Sequence, residues 1–115
     1  MARADRGELD NINISHLYTE GYADYIQPQY QNIFHVNSFF VGGNVRKATQ
    51  EGRADFIPCS LSESARIILS GAQKCDVVML MVSDPDDDGY VSLGTSVDYM
   101  IAAMKKARVI IALIN

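Results

Sequence analysis

Metal and redox chemistry have little to build on in this sequence, which holds two cysteines and two histidines among its 115 residues. Cys59 and Cys75 form no C-x-x-C pair and no zinc cluster with His16 and His35. They are expected to be buried free thiols of a reducing cytosol, and no metal site is expected. Clustered positive charge is also lacking: the net charge is −4, and the bases are scattered as Arg46 with Lys47, and Lys105 and Lys106 with Arg108. That provides no basic face, so neither nucleic acid nor an anionic membrane is an expected partner. No apolar run is long enough to span a bilayer, and the charged start, MARADRGELD, does not read as a signal peptide, which makes the cytoplasm the expected location. GTSVD, Gly94 to Asp98, contains Gly94 and Ser96 but lacks the second glycine of a nucleophile elbow, so a triad hydrolase is not indicated.

What is present is the composition of an ordinary globular domain, 48% apolar and 21% charged, with proline and glycine at unremarkable levels. The length suits one domain with a modest core. From Phe39 onward, apolar runs, polar turns and helical stretches alternate. FFV reads as a strand entering GGN, where Asn44 can cap a helix, VRKATQE, that stops at Gly52. ADFIPC reads as the next strand. Ser60 and Glu63 then stand at capping-box spacing, which predicts a helix over Leu61 to Ser70 with Leu61, Ala65, Ile68 and Leu69 inward and Gly71 past its end. Val77 to Val82 and VIIALI are apolar on both faces, as buried parallel strands are. Between them YVSL is expected to pair back as a short strand, and Thr95 with Asp98 to cap a helix carrying Val97, Ile101 and Met104 on one side, with Lys105 and Lys106 in its last turn. Nearer the start, NINISHLY alternates like a strand. Tyr22, Tyr25 and Tyr30 are expected to pack over a sheet edge. Such alternation predicts an α/β fold, an open, mostly parallel sheet with flanking helices. MARADRGEL resembles the tail of a helix without its preceding strand, and Asn115 follows directly on a strand that needs cover. The domain is therefore expected to be incomplete at both ends.

SDPDDDGYVSLGTSVD, Ser83 to Asp98, concentrates five of the fourteen acidic residues and opens like a calcium loop, with Asp84, Asp86, Asp88 and Gly89 in place. Position 12 of that template is Thr95, which cannot supply the bidentate carboxylate, and the preceding run reads as a strand where the motif needs a helix. The expectation is an acidic turn with its carboxylates in water. GGN at Gly42 to Asn44 opens a helix at the carboxyl end of a strand, where backbone N–H groups can hold an anion, although a simple tight turn uses the same residues. The carboxyl ends of the strands gather GGN, PCS and SDPDDDG, and a ligand crevice is expected on that edge.

Taken in order, FVGGNVRKATQEGRADFIPCSLSE, DVVMLMVS, DGYVSLGTSVD and the closing helix and strand resemble the amino-terminal domain of the acetyl-CoA hydrolase/transferase family, which includes acetate, butyrate and 4-hydroxybutyrate CoA-transferases. The family commonly has S-P-x-D-x-H-G-Y where this chain has SDPDDDGY. Ser83, Asp86, Gly89 and Tyr90 match, Asp84 replaces Pro and Asp88 replaces His, which puts any role of that His in doubt here. D-x-x-G after a buried strand is also similar to the related ketoacid CoA-transferase subunits. The resemblance implies an enzyme that exchanges CoA between an acyl-CoA and a free carboxylate through a glutamyl-CoA thioester, with CoA thioester as substrate and no bound cofactor. It further implies two similar α/β domains, a homo-oligomer of the full-length protein, and a catalytic Glu in a carboxyl-terminal domain beyond Asn115, so that this chain holds no catalytic residue of its own. Gly42, Gly43, Ser83, Asp86, Gly89, Tyr90 and Gly94 are the candidates for shaping this domain's side of the acyl-carboxylate crevice. A different class of reading is a standalone α/β binding or interaction module that uses the acidic loop as its contact surface.

Overall fold

The computed structural model describes residues 1–95 and 97–115, so Ser96 of the GTSVD segment lies outside the described residues. The chain forms two compact units, Met1–Cys59 and Ser60–Asn115.

In the first unit, a one-turn helix, α1 (Ala2–Asp5), precedes β1 (Ile12–His16). Two single-turn 3₁₀ helices, Asp24–Ile26 and Pro28–Tyr30, lead to β2 (Phe34–Ser38). α2 (Gly43–Gln50) and β3 (Ala54–Phe56) follow. The sheet order is β1-β2-β3 and every pairing is parallel, with Ile12 opposite Phe34, His16 opposite Ser38 and Val36 opposite Ala54. The second strand is FHVNS, not FFV. Phe34, Val36 and Ser38 are buried while His35 is exposed, so a period-2 strand runs through residues whose polarity hides it, and Phe39 and Phe40 begin the turn. Ala23, Ile26, Val36, Val45, Ala48 and Ala54 form the core, with Ile14, Tyr25 and Val41 packed on it. Tyr25 and Tyr30 both meet Phe34 edge-on, with ring centroids 6.5 and 6.3 Å apart, which is the packing expected of them. Tyr22 departs from that expectation, being 96% exposed.

The second unit runs α3 (Leu61–Ser70), β4 (Val77–Val82), α4 (Met100–Lys106) and β5 (Val109–Ile114), with β4 and β5 paired in parallel from Val77 opposite Val109 to Val82 opposite Ile114. The parallel α/β class therefore holds, with the strands divided between a three-stranded and a two-stranded sheet. Among the described residues, no helix is long and apolar enough to cross a membrane.

α3 begins with the predicted capping box. The Glu63 side chain accepts the Ser60 backbone N–H at 3.0 Å, and Gly71 closes the helix in the left-handed conformation at φ 83°. Its phase differs from expectation: Ser64 and Ile68 are buried, and Leu61 and Leu69 are exposed. Packing against α4 explains this. α3 meets α4, whose buried residues are Ala102 and Ala103, and a small Ser64 lets the backbones approach while its hydroxyl donates to the Leu61 carbonyl at 2.6 Å. α4 likewise starts at Met100 with Tyr99 before it; Thr95 and Asp98 do not cap it, and Ile101 is exposed. Cys59 and Cys75 are free and half-buried, more open than expected.

The β4–β5 sheet leaves apolar surface in water. Val77, Met79 and Met81 share a face with their register partners Val109, Ile111 and Leu113, and all six are exposed. On the opposite face Val78 and Val82 are buried, whereas Ile110 and Ile114 are not.

Candidate functional site

The loop after β4 gathers five of the sequence-derived candidates. Ser83 donates its backbone N–H to the Ser92 carbonyl at 3.0 Å, and the Ser92 N–H returns to Ser83 Oγ at 2.9 Å. Because the returning bond ends on a hydroxyl, not a carbonyl, no ladder propagates. YVSL therefore pairs back without becoming the strand expected of it.

At the tip Asp86 organises the turn. Its N–H donates to the Tyr90 carbonyl at 2.8 Å, its carbonyl accepts the Gly89 N–H at 2.9 Å, and its Oδ1 accepts the N–H groups of Asp88 and Tyr90 at 3.1 and 2.8 Å. Gly89 holds φ 83°, a conformation an L side chain enters only with strain. Asp84, Asp86, Asp87 and Asp88 are all exposed, as expected of an acidic turn. With one Asp86 oxygen engaged by two backbone donors, what resembled the start of a calcium loop is a side-chain-stabilised turn. Tyr90 is 75% exposed.

At the base of this loop, at the carboxyl ends of β4 and β5, lies a cleft of about 210 Å³ lined by Ser83, Ser92, Gly94 and Asn115 with Met81, Val82 and Leu93. The Asn115 N–H donates to the Val82 carbonyl at 3.0 Å and closes its strand side. Ser83 and Gly94 thus line one concave surface, while Asp86, Gly89 and Tyr90 form the tip. Ser92 and Asn115 were not among the candidates; the strand-edge rule locates them only once β5 is known to lie beside β4.

Gly42 and Gly43 belong to the first unit, at the amino terminus of α2. Gly42 is the N-cap and is buried. A Cβ there would lie 3.1 Å from the Tyr18 ring and 3.1 Å from Asn44 Oδ1, so a larger residue would push one of these side chains aside by a few tenths of an ångström. Nothing would meet a Cβ on Gly43. Asn44 does not cap the helix as expected. Its side-chain amide donates to the carbonyls of Thr19 at 2.7 Å and Gly21 at 3.2 Å, which fastens the loop after β1 onto the start of α2. The exposed rings of Tyr18 and Phe40 meet beside it with centroids 5.9 Å apart.

The four glutamates stand apart from these loops. Glu8 pairs with Arg6 and Arg3, Glu51 with Arg53 and Lys47, and Glu63 with Ser60 and Arg66. The Arg6 and Arg3 guanidiniums hold the Glu8 carboxyl below its ordinary value, Arg53 does the same to Glu51, and the Ser60 N–H and hydroxyl lower Glu63. Glu20 is exposed in the loop after β1. Among the described residues no three His, Cys, Asp or Glu side chains gather as metal ligands.

Parallel β-α-β units with loops at the carboxyl ends of their strands define the α/β class. The pattern of the acetyl-CoA hydrolase/transferase N-terminal domain matches residues 2–115, and the chain belongs to that family. It is 40% identical over 107 residues to the succinyl-CoA:acetate/propanoyl-CoA:succinate CoA transferase of Fasciola hepatica, covering 93% of this chain and 22% of that protein. It is 36% identical over 104 residues to the 4-hydroxybutyrate coenzyme A transferase of Clostridium kluyveri, covering 90% and 24%. The chain thus spans about a quarter of the length of these relatives. The fold is similar to that of RipA from Yersinia pestis, with a TM-score of 0.86 at 24% identity over 99% of this chain and 28% of that one.

Proposed function

We propose that the chain is the amino-terminal part of an acyl-CoA:carboxylate CoA-transferase that exchanges CoA between an acyl-CoA, such as acetyl-, butyryl- or 4-hydroxybutyryl-CoA, and acetate. The observation that carries this reading is the family match along residues 2–115, joined to relatives named as CoA-transferases. In this reading the protein works in the cytoplasm as a homo-oligomer. Ser83, Asp86, Gly89, Tyr90 and Gly94 shape a substrate-facing loop in the second unit, and Gly42 and Gly43 shape one in the first. Asp86 serves as the loop's internal scaffold, since its Oδ1 is held by two N–H groups.

The carboxylate that takes up CoA as a thioester lies, in this reading, in a domain encoded beyond Asn115. The state of the glutamates supports this. Glu8, Glu51 and Glu63 are engaged by cations or a helix cap, which lowers their nucleophilicity, and none lines the cleft after β4. The test is intact-protein mass spectrometry after incubation with acetyl-CoA or butyryl-CoA. The chain alone is expected to gain no CoA mass and to transfer none to acetate, and a version extended by its downstream coding sequence is expected to gain one CoA, released by hydroxylamine, on a glutamate of the extension. A hydroxylamine-sensitive adduct on Glu51, Glu63 or a loop aspartate of the chain alone would overturn the assignment.

A further inference from the structure

His16 and Ser38 end β1 and β2, and they face each other in the parallel register. Register partners in a parallel pair put their side chains on the same face, with the strands less than about 5 Å apart. His16 is 8% exposed and Ser38 is fully buried, yet His16 Nδ1, His16 Nε2 and Ser38 Oγ have no hydrogen-bond partner among the described residues. Burial keeps the imidazole neutral by lowering its pKa, so the ring offers one donor and one acceptor, and the hydroxyl offers both.

Nearby groups are already engaged. The His16 carbonyl accepts the Phe39 N–H at 3.0 Å and the Ser38 carbonyl the Ile57 N–H at 2.9 Å. The Tyr25 ring packs edge-on against the imidazole with centroids 6.4 Å apart and forms no hydrogen bond to it. Three adjacent buried polar atoms without partners are rare in folded proteins, because each carries its full desolvation penalty. The usual resolution is an internal water, which needs two to four polar partners in a polar site.

We propose that His16 and Ser38 form a buried hydration site, in which a long-lived water bridges an imidazole nitrogen and Ser38 Oγ at the carboxyl edge of β1 and β2. The site has a structural consequence. The loops leaving His16 and Ser38 meet where the Tyr18 ring covers Gly42 and Asn44 holds Thr19 and Gly21. A water joining the last residues of the two strands fixes the points from which both loops depart. The inference concerns this chain's own residues and does not depend on the transferase reading.

The test is a high-resolution crystal structure of the 115-residue chain, with thermal unfolding of variants. A water about 2.7–3.2 Å from both an imidazole nitrogen and Ser38 Oγ is expected. Ser38→Ala is expected to lower the unfolding temperature by leaving the imidazole unmatched, and His16→Phe/Ser38→Ala, which removes all three polar atoms together, is expected to recover part of that loss. Should Ser38→Ala fail to fold, recovery of a folded protein by the double variant makes the same point. A direct His16–Ser38 hydrogen bond with no water, or a double variant no more stable than Ser38→Ala, overturns the proposal.

Discussion

Gly89→Ala isolates the backbone cost of the acidic turn. Gly89 sits at φ 83° with nothing within 4 Å of where a Cβ would stand, so the new methyl meets no neighbour and the penalty is conformational alone. Placing an L residue in the left-handed region costs about 1–2 kcal/mol. For a chain of this size that corresponds to roughly 4–8 °C in Tm. Gly43→Ala is the matched control. It also meets open space, but it lies within α2 at ordinary φ, where alanine is expected to gain up to about 0.5–1 kcal/mol. The two changes add the same methyl and are predicted to shift stability in opposite directions. Thermal unfolding followed by circular dichroism reads the global effect. Amide hydrogen exchange of Asp88 and Tyr90, whose N–H groups rest on Asp86 Oδ1, reads the loop itself and is expected to quicken in Gly89→Ala. A Gly89→Ala protein with unchanged Tm and unchanged exchange at both amides would refute the claim that the turn imposes a left-handed residue.

The apolar face of β4–β5 makes a second prediction: the chain self-associates with rising concentration in light scattering, and Met79→Lys/Leu113→Lys, at positions 72% and 63% exposed, shifts it toward monomer. A sharp monomer peak of the parent at high concentration would refute this. The third concerns acid. The Glu63 carboxyl is held below its ordinary 4.5, first by the Ser60 N–H, so the stability it contributes is complete above that value and is lost as pH falls through the lower folded value. Stability against unfolding, measured from about pH 5 down to pH 3, should fall in the parent, and Glu63→Gln should flatten that part of the profile.

Features carried by local rules were legible in the sequence. Ser60 and Glu63 announce α3 because a capping box is a contact between residues three apart, and β4 is plain because its run is apolar throughout. Expectations failed where a distant partner decides. Ser64 turns inward, and Leu61 outward, because α4 offers alanines to pack against, a fact no residue of α3 reveals. FHVNS does not read as a strand because its inward positions include a serine, whereas the neighbouring FFV is apolar throughout. The candidate loop was legible as a motif, but its internal scaffold was not. Asp86 was singled out by resemblance, while its grip on the Asp88 and Tyr90 amides is a property of the folded turn.

Among the described residues every strand pairing is internal to one unit: β1, β2 and β3 join within the first 59 residues, and β4 and β5 within the rest. During synthesis a chain emerges from its amino end at about 5–20 residues per second, slowly compared with the microseconds to milliseconds of local folding events. β1, β2 and β3 can therefore pair with one another some seconds before β5 has left the ribosome. The nascent chain can close its early hydrophobic core without waiting for β4 and β5, and the apolar face those two strands present is the surface a chaperone meets next.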